Sequence, residues 1–337
     1  MSIAKKVLVT GGAGFIGSHL CDRLVDAGHD VICLDNYYTG TKANVKSIMQ
    51  SPNFELLRHD ITFPLYVQVD EIFNLACPAS PVHYQLDPVQ TTKTSVHGAI
   101  NMLGLSKRIG AKILQASTSE VYGTARFVPI NEDHPLQGQS PYSASKIGAD
   151  QIAMSFYNSF DTPVSIIRPF NTYGPRQSSR AVIPTVITQI ANGQQQIRLG
   201  ALHTTRDFNY IEDMVSGFVA ALESYQAIGE VINLGSDFEI SIGDTVKTIA
   251  DVMGKEIEIQ TEEQRLRPEK SEVYRLLCDN SLLYEITKWK PDISFNESMK
   301  ETIDWFSENL NYYKISYQLP LCKFQYHYFD PTGKNLN

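Results

Sequence analysis

Between an apolar run at 6–10 and an amphipathic stretch at 16–27 stands Thr10-Gly11-Gly12-Ala13-Gly14-Phe15-Ile16-Gly17, and few folds accommodate that string. Glycines so spaced, after a strand and opening a helix, fit a nucleotide cradle. Gly11 permits the tight turn, Gly14 lets backbone N–H groups approach a pyrophosphate, and Gly17 lets helix and strand pack closely. A second apolar run at 30–34 leads to Asp35, about twenty residues on, as a dinucleotide fingerprint requires. Asp35 can accept hydrogen bonds from the adenosine ribose hydroxyls and repels a 2′-phosphate. No Arg lies between Asp35 and Lys46, so NAD is expected rather than NADP. Asp60, in His59-Asp60-Ile61, reads either as an adenine contact or as a capping residue.

Further apolar runs recur at 54–58, 71–75, 112–116, 164–168 and 231–234, several apolar on both faces, as buried parallel strands are. Amphipathic stretches at 94–108 and 141–160 alternate with them. This predicts an α/β fold, a doubly wound parallel Rossmann sheet covered on both faces. After about Asn171 the pattern loosens, with helices expected at 211–224, 242–253 and 296–308. The expected division is a NAD-binding domain over 1–170 with a return segment near 207–238. A smaller mixed C-terminal substrate lobe over 171–206 and 239–311 follows, then an aromatic-rich tail over 312–337.

The chain has 337 residues and a net charge of −8, against nucleic acid as the main partner. Its five cysteines (Cys21, Cys33, Cys77, Cys278, Cys322) show no CxxC spacing, so neither a disulfide framework nor a metal site is expected. No apolar run reaches membrane-spanning length and the first strand begins almost at once; a cytoplasmic protein is expected. His83 and His97 lack ligand partners at metal spacing, and Cys77 reads as packing.

Tyr142 and Lys146 are spaced i, i+4 at the start of the 141–160 helix and share one face. A neighbouring ammonium is expected to lower the phenol pKa, making Tyr142 a base for a sugar hydroxyl. Ser117-Thr118-Ser119-Glu120-Val121-Tyr122-Gly123 follows the 112–116 strand, which places its hydroxyls and carboxylate at the carboxyl edge of the sheet. Thr118 can bond the reacting hydroxyl, and Ser119 and Glu120 can reach neighbouring sugar carbons; a capping role is the plain alternative for Glu120.

The glycine loop, Asp35, Asn74-Leu75-Ala76, Ser117–Gly123, Tyr142 with Lys146, and Arg168-Pro169-Phe170-Asn171-Thr172-Tyr173-Gly174-Pro175 together resemble the extended short-chain dehydrogenase/reductases. These are the nucleotide-sugar epimerases, dehydratases and decarboxylases, and the likeness runs from about residue 5 to 310. It implies a cofactor surface of Gly11, Gly14, Phe15, Ile16, Gly17, Asp35, Asn36, Asp60, Ile61, Leu75, Ala76, Tyr142 and Lys146. It implies that Asn171 contacts a substrate diphosphate, with Arg176, Arg206 and Arg267 also on the substrate. It further implies a homodimer joined through helices at about 93–108 and 141–159.

Residues 1–123, above all Leu75-Ala76-Cys77-Pro78-Ala79-Ser80-Pro81-Val82-His83-Tyr84, resemble UDP-glucuronate decarboxylases. From Thr124 onward, Gln139-Ser140-Pro141-Tyr142-Ser143-Ala144-Ser145-Lys146, Gly174-Pro175-Arg176-Gln177 and the 265–272 stretch are similar to 4,6-dehydratases of the legionaminic-acid type. Both reactions pass through a 4-keto sugar and return the hydride, so NAD is expected to stay bound. Decarboxylases of this kind carry an Arg three residues before the tyrosine and a Glu two after it, where this chain has Gln139 and Ala144. Commoner dehydratases have Asp-Glu at Ser119-Glu120, although the legionaminic type shares Ser-Glu. The order of expectation is a UDP-GlcNAc-like 4,6-dehydratase, then a UDP-glucuronate decarboxylase, then a 4-epimerase. A non-catalytic NAD-sensing regulator would be expected to lack the Tyr or the Lys.

Overall fold

A computed structural model describes residues 4–261 and 273–311 of the chain. Arg267, the 265–272 stretch and the aromatic tail lie outside the described residues. In chain order the elements are β1 (Lys6–Thr10), α1 (Phe15–Asp26), β2 (Asp30–Asp35), β3 (Phe54–Arg58), β4 (Glu71–Asn74), α2 (Pro81–Leu86), α3 (Pro88–Ile109) and β5 (Lys112–Ala116). Then come α4 (Pro141–Phe160), β6 (Val164–Pro169), β7 (Asn171–Tyr173), α5 (Val182–Ala191), β8 (Gln196–Leu199), β9 (Thr205–Tyr210), α6 (Ile211–Glu223) and β10 (Val231–Leu234). The last are β11 (Glu239–Ser241), α7 (Ile242–Val252), β12 (Glu258–Thr261), α8 (Ser281–Thr287) and α9 (Phe295–Glu308).

Seven strands form one sheet in the order β10-β6-β5-β4-β1-β2-β3, every neighbouring pair parallel. Alternation along β1 shows why both faces must be covered. Val7 and Val9 join Leu20, Leu24, Met214 and Phe218 of α1 and α6 in one core, while Leu8 joins Met102, Leu103, Ala149 and Ala153 of α3 and α4 in the other. The expected doubly wound sheet is therefore present. The chain runs outward from β1 through β2 to β3, then returns to β4 on the other side of β1. That reversal leaves a crevice at the carboxyl ends of β1 and β4, where open α/β sheets bind ligands.

Beyond β6 a smaller mixed sheet, β11-β9-β7, pairs β9 antiparallel with β11 and parallel with β7. β8 and β12 pair parallel beside it. Residues 231–234 supply β10 to the large sheet, beside β6.

Helix α3 begins six residues before the periodic stretch at 94. Pro88 occupies its first turn and the Asp87 carboxylate accepts from the Gln90 amide at 2.8 Å, so a capped turn forms from polar residues with no hydrophobic rhythm. Helix α4 starts on a capping box, in which Ser140 and Ser143 each accept the other's backbone N–H. Among the described residues no helix is long and apolar enough to cross a membrane, and no three His, Cys, Asp or Glu side chains gather as a metal site.

Candidate active site

The glycine loop floors the crevice. Gly11 sits at φ +67°, and a Cβ there would stand 2.9 Å from the Ala76 Cα. A Cβ at Gly17 would fall 2.2 Å from the Gly11 carbonyl oxygen, so α1 reaches the loop only without one. Gly12, which the motif alone does not single out, is equally confined: a Cβ would meet the Cys33 Sγ at 2.6 Å. Gly14 is the N-cap of α1 and provides no side-chain acceptor, so the amides opening at Phe15 and Ile16 remain suited to an anion.

Leu75 and Ala76 are stitched to the end of β1, both amides donating to the Thr10 hydroxyl at 3.1 and 3.2 Å. Asp35, buried, accepts from the Ala13 amide at 3.1 Å and the Tyr37 amide at 2.8 Å. Burial pushes its carboxyl above the usual range, against those hydrogen bonds. Asn36 donates to Asp60 at 3.0 Å, and Asp60 also accepts from the Thr62 amide and hydroxyl. Burial works against ionisation of Asp60, yet these donors hold its carboxyl below the usual range. Asp60 thus has the partners of a turn-capping residue. Ile61 is seated on α3, its carbonyl accepting from Asn101 at 2.7 Å. A cradle that single carbon atoms would fill, with a carboxylate at the end of β2, fits a dinucleotide.

Across the crevice, Thr118 caps the 3-10 turn Ser119–Tyr122 by accepting from the Glu120 amide at 3.2 Å, and it hydrogen-bonds Tyr142 as well. Ser119 is buried inside that turn, and Glu120 is half-buried and lies close enough to Tyr142 for their charges to interact. Tyr142 is held flat against Tyr84 of α2, ring centroids 5.7 Å apart and planes within 6°. Lys146 donates to the Ala116 carbonyl at 2.8 Å, with its Nζ 6.0 Å from the centre of the Tyr142 ring.

The Tyr142 pKa is not lowered by Lys146 as the spacing predicts. In the protein alone the Tyr142 phenol is pushed well above its usual range, by burial first and then by Cys77 and Glu120, with the Thr118 hydrogen bond opposing. The i, i+4 spacing brings Lys146 alongside, but its ammonium is committed to the strand end and does not offset the loss of water. Cys77, read as packing, is within 3.1 Å of the Ser95 hydroxyl and beside Tyr142.

On the substrate side, Asn171 lies in β7 with a buried side-chain oxygen that has no partner among the described residues. Arg206, in the neighbouring β9, is buried and donates to the Thr205 carbonyl at 2.8 Å. Arg176, in the left-handed region at φ +66°, pairs with Asp22 of α1 at 2.7 Å. The structure therefore brings Thr118, Glu120, Tyr142 and Lys146 together, sets Asn171 and Arg206 on paired strands, and engages Arg176 with the cofactor-side helix. Sequence reasoning named Tyr84 only as the end of the resemblance over 75–84 and missed its place against Tyr142, which α2 provides. Gln139 donates to the Thr124 hydroxyl at 3.2 Å, and its own side-chain oxygen is buried without a partner among the described residues.

Residues 8–302 match the family model described as GDP-mannose 4,6 dehydratase. UDP-glucuronic acid decarboxylase 6 of Arabidopsis thaliana is 39% identical over 302 residues, covering 87% of this chain and 86% of the relative. UDP-glucuronic acid decarboxylase 1 of Xenopus tropicalis is 36% identical, covering 95% of this chain and 76% of the relative. The NAD complex of dTDP-glucose 4,6-dehydratase from Bacillus anthracis superposes with a TM-score of 0.82 at 30% identity, over 93% of this chain and 99% of that one.

Proposed function

The chain belongs to the GDP-mannose 4,6 dehydratase family of extended short-chain dehydrogenase/reductases, and from that premise we propose that it is a NAD-dependent nucleotide-sugar 4,6-dehydratase acting through a 4-keto intermediate. The glycine cradle and Asp35 would hold NAD, which would supply a hydride acceptor for the sugar C4 and a hydride donor for C6. With the positive charge of NAD⁺ in the cleft to oppose the burial of its phenol, Tyr142 would take the C4 hydroxyl proton, with Thr118 holding that hydroxyl in line. The resulting ketone acidifies the C5 proton, which Glu120 removes as hydroxide departs from C6. Glu120 returns that proton to C5 as hydride is delivered to C6, and the hydroxide leaves as water, balanced by the proton Tyr142 took from the C4 hydroxyl. Asn171, Arg206 and Arg267 hold the diphosphate, guanidinium groups suiting its geometry.

The observation that carries dehydration over decarboxylation is Gln139. A neutral amide stands where a carboxylate reader is expected, and its buried oxygen lacks a donor. A C6 hydroxyl can donate to it, whereas a C6 carboxylate only accepts. Loss of CO₂ from a 4-ketouronate remains the second reading, favoured by the 36–39% identity to proteins named as decarboxylases.

Incubation with UDP-GlcNAc, dTDP-glucose and UDP-glucuronate, followed by mass analysis, separates the two. Loss of water from either neutral sugar is expected, and Glu120→Gln should retain C4 oxidation while stopping water loss. Release of CO₂ from UDP-glucuronate with both neutral sugars untouched would overturn the assignment.

A further inference from the structure

The face of α4 that carries Tyr142 and Lys146 continues one turn further to Asp150. Residues at i, i+4 and i+8 form a single stripe, and Asp150 is the only acid on it. Asp150 is 1% exposed, and one carboxylate oxygen accepts from the Ser117 hydroxyl at 2.8 Å and from Arg168 Nε and Nη2 at 3.2 and 3.1 Å. Its other oxygen has no partner among the described residues. Arg168 in turn donates to the Tyr122 hydroxyl at 3.0 Å, and Tyr122 donates to Asn233 of β10 at 2.6 Å. This ion pair stands directly behind the reacting groups: Ser117 precedes Thr118, Lys146 is one turn from Asp150, and Arg168 leads into Asn171.

We propose that Asp150 is a positioning residue which, through its buried charge and its pairing with Arg168, sets how readily Tyr142 releases its proton. The inference rests on the reading of Tyr142 as the base. Tyr142 faces Cys77 after β4, Glu120 after β5, Tyr84 of α2 and Lys146. Asp150 faces Lys146, Ser117 and Arg168, and behind Arg168 stand Tyr122, Glu132 and, next to Glu132, Asp279. Asp150 and Arg168 carry opposite charges, so their fields at Tyr142 oppose each other, while Glu120 acts on it directly. Removing either partner alone unbalances that field, in opposite directions. Two helical turns, about 12 Å, at an effective dielectric constant of about 20 correspond to about one pH unit per charge.

The test uses the full chain loaded with NAD⁺ and two readouts. One is the pH profile of turnover on whichever of the three nucleotide sugars the wild type converts. The other is ultraviolet difference titration of the phenolate, each protein against its own Tyr142→Phe counterpart, which needs no turnover. Asp150→Asn keeps shape and acceptor but loses the charge, and it should move both the acid limb and the phenolate titration down by about one pH unit. Arg168→Gln should move both up by a comparable amount, and Asp150→Glu should leave them near the wild-type positions. A pair with a purely structural role lowers activity in all variants without opposite shifts, and that result overturns the proposal. So does failure of both Asp150→Asn and Arg168→Gln to fold, which would assign the pair to the core. Absence of turnover in the wild type with the opposite phenolate shifts intact would instead count against the dehydratase reading alone.

Discussion

His19 shows how a single residue carries a pH dependence that its neighbours impose. Its Nε2–H donates to the Pro175 carbonyl at 3.0 Å, and its ring meets Phe15 edge-on. Burial, reinforced by the nearby Arg176 charge, lowers its pKa from 6.5 to about 4. Between those values the unfolded chain binds a proton that the folded chain refuses. The stability this residue contributes is therefore complete above about pH 6.5 and drains away as the pH falls towards about 4. Urea unfolding at about pH 7 and about pH 4.5 should show the wild type losing about 2 kcal/mol more than His19→Gln. An equal loss in both proteins would clear His19 of the effect. The same logic separates what was legible at Tyr142 from what was not. Its partnership with Lys146, Thr118 and Glu120 follows from spacing and from the strand-end motif. The direction of its pKa does not, because burial under Tyr84 and beside Cys77 is contributed by segments more than fifty residues away in sequence.

At the scale of elements, helix α4 has the most to lose from a local change. Its first turn carries Tyr142, and the reciprocal Ser140–Ser143 bonds fix where that turn begins. Ser140→Ala should cost about 1 kcal/mol of stability, read as a lower denaturation midpoint in urea with an unchanged slope. The strands at 6–10, 112–116 and 231–234 were readable because buried parallel strands are apolar on both faces. Elements without such a signature escaped. The start of α3 depends on the Asp87 carboxylate and on Pro88, not on any periodicity. α5, Val-Ile-Pro-Thr-Val-Ile-Thr-Gln-Ile-Ala, is buried from Ile183 to Ile190, its Thr185, Thr188 and Gln189 included, so it has no exposed polar face to betray its period. The short strands β7, β9 and β11 are held by partners distant in sequence, and Asp207, fully buried between them and the loop at 236–237, accepts from Ser236, Asp237, Cys278 and Asn209.

For the molecule as a whole, the family likeness implies pairing of two chains through α3 and α4. These helices pack against each other and leave Ile100 42% exposed, while a Cβ built at Gly104, one turn on, meets nothing within 4 Å. An exposed apolar side chain one turn from a glycine with open space above it suits a symmetric helix-to-helix contact. Sedimentation of the wild type at about twice the 37.8 kDa chain mass is expected, with Ile100→Glu reverting to a single chain. A wild type that sediments as one chain at micromolar concentration would dispose of that expectation.

The last strand of the large sheet has a consequence for how the protein is made. Strands one to six are complete by Pro169, but the outer neighbour of β6 is supplied by residues 231–234. Asn233 of that strand takes the Tyr122 hydroxyl and, through it, steadies Arg168 behind the reacting groups. During synthesis the nucleotide-holding half can therefore assemble while the ribosome is still translating, whereas the machinery for chemistry locks only after more than sixty further residues have emerged. The cradle and the strand that braces the reacting groups are thus written at two well-separated points of the chain.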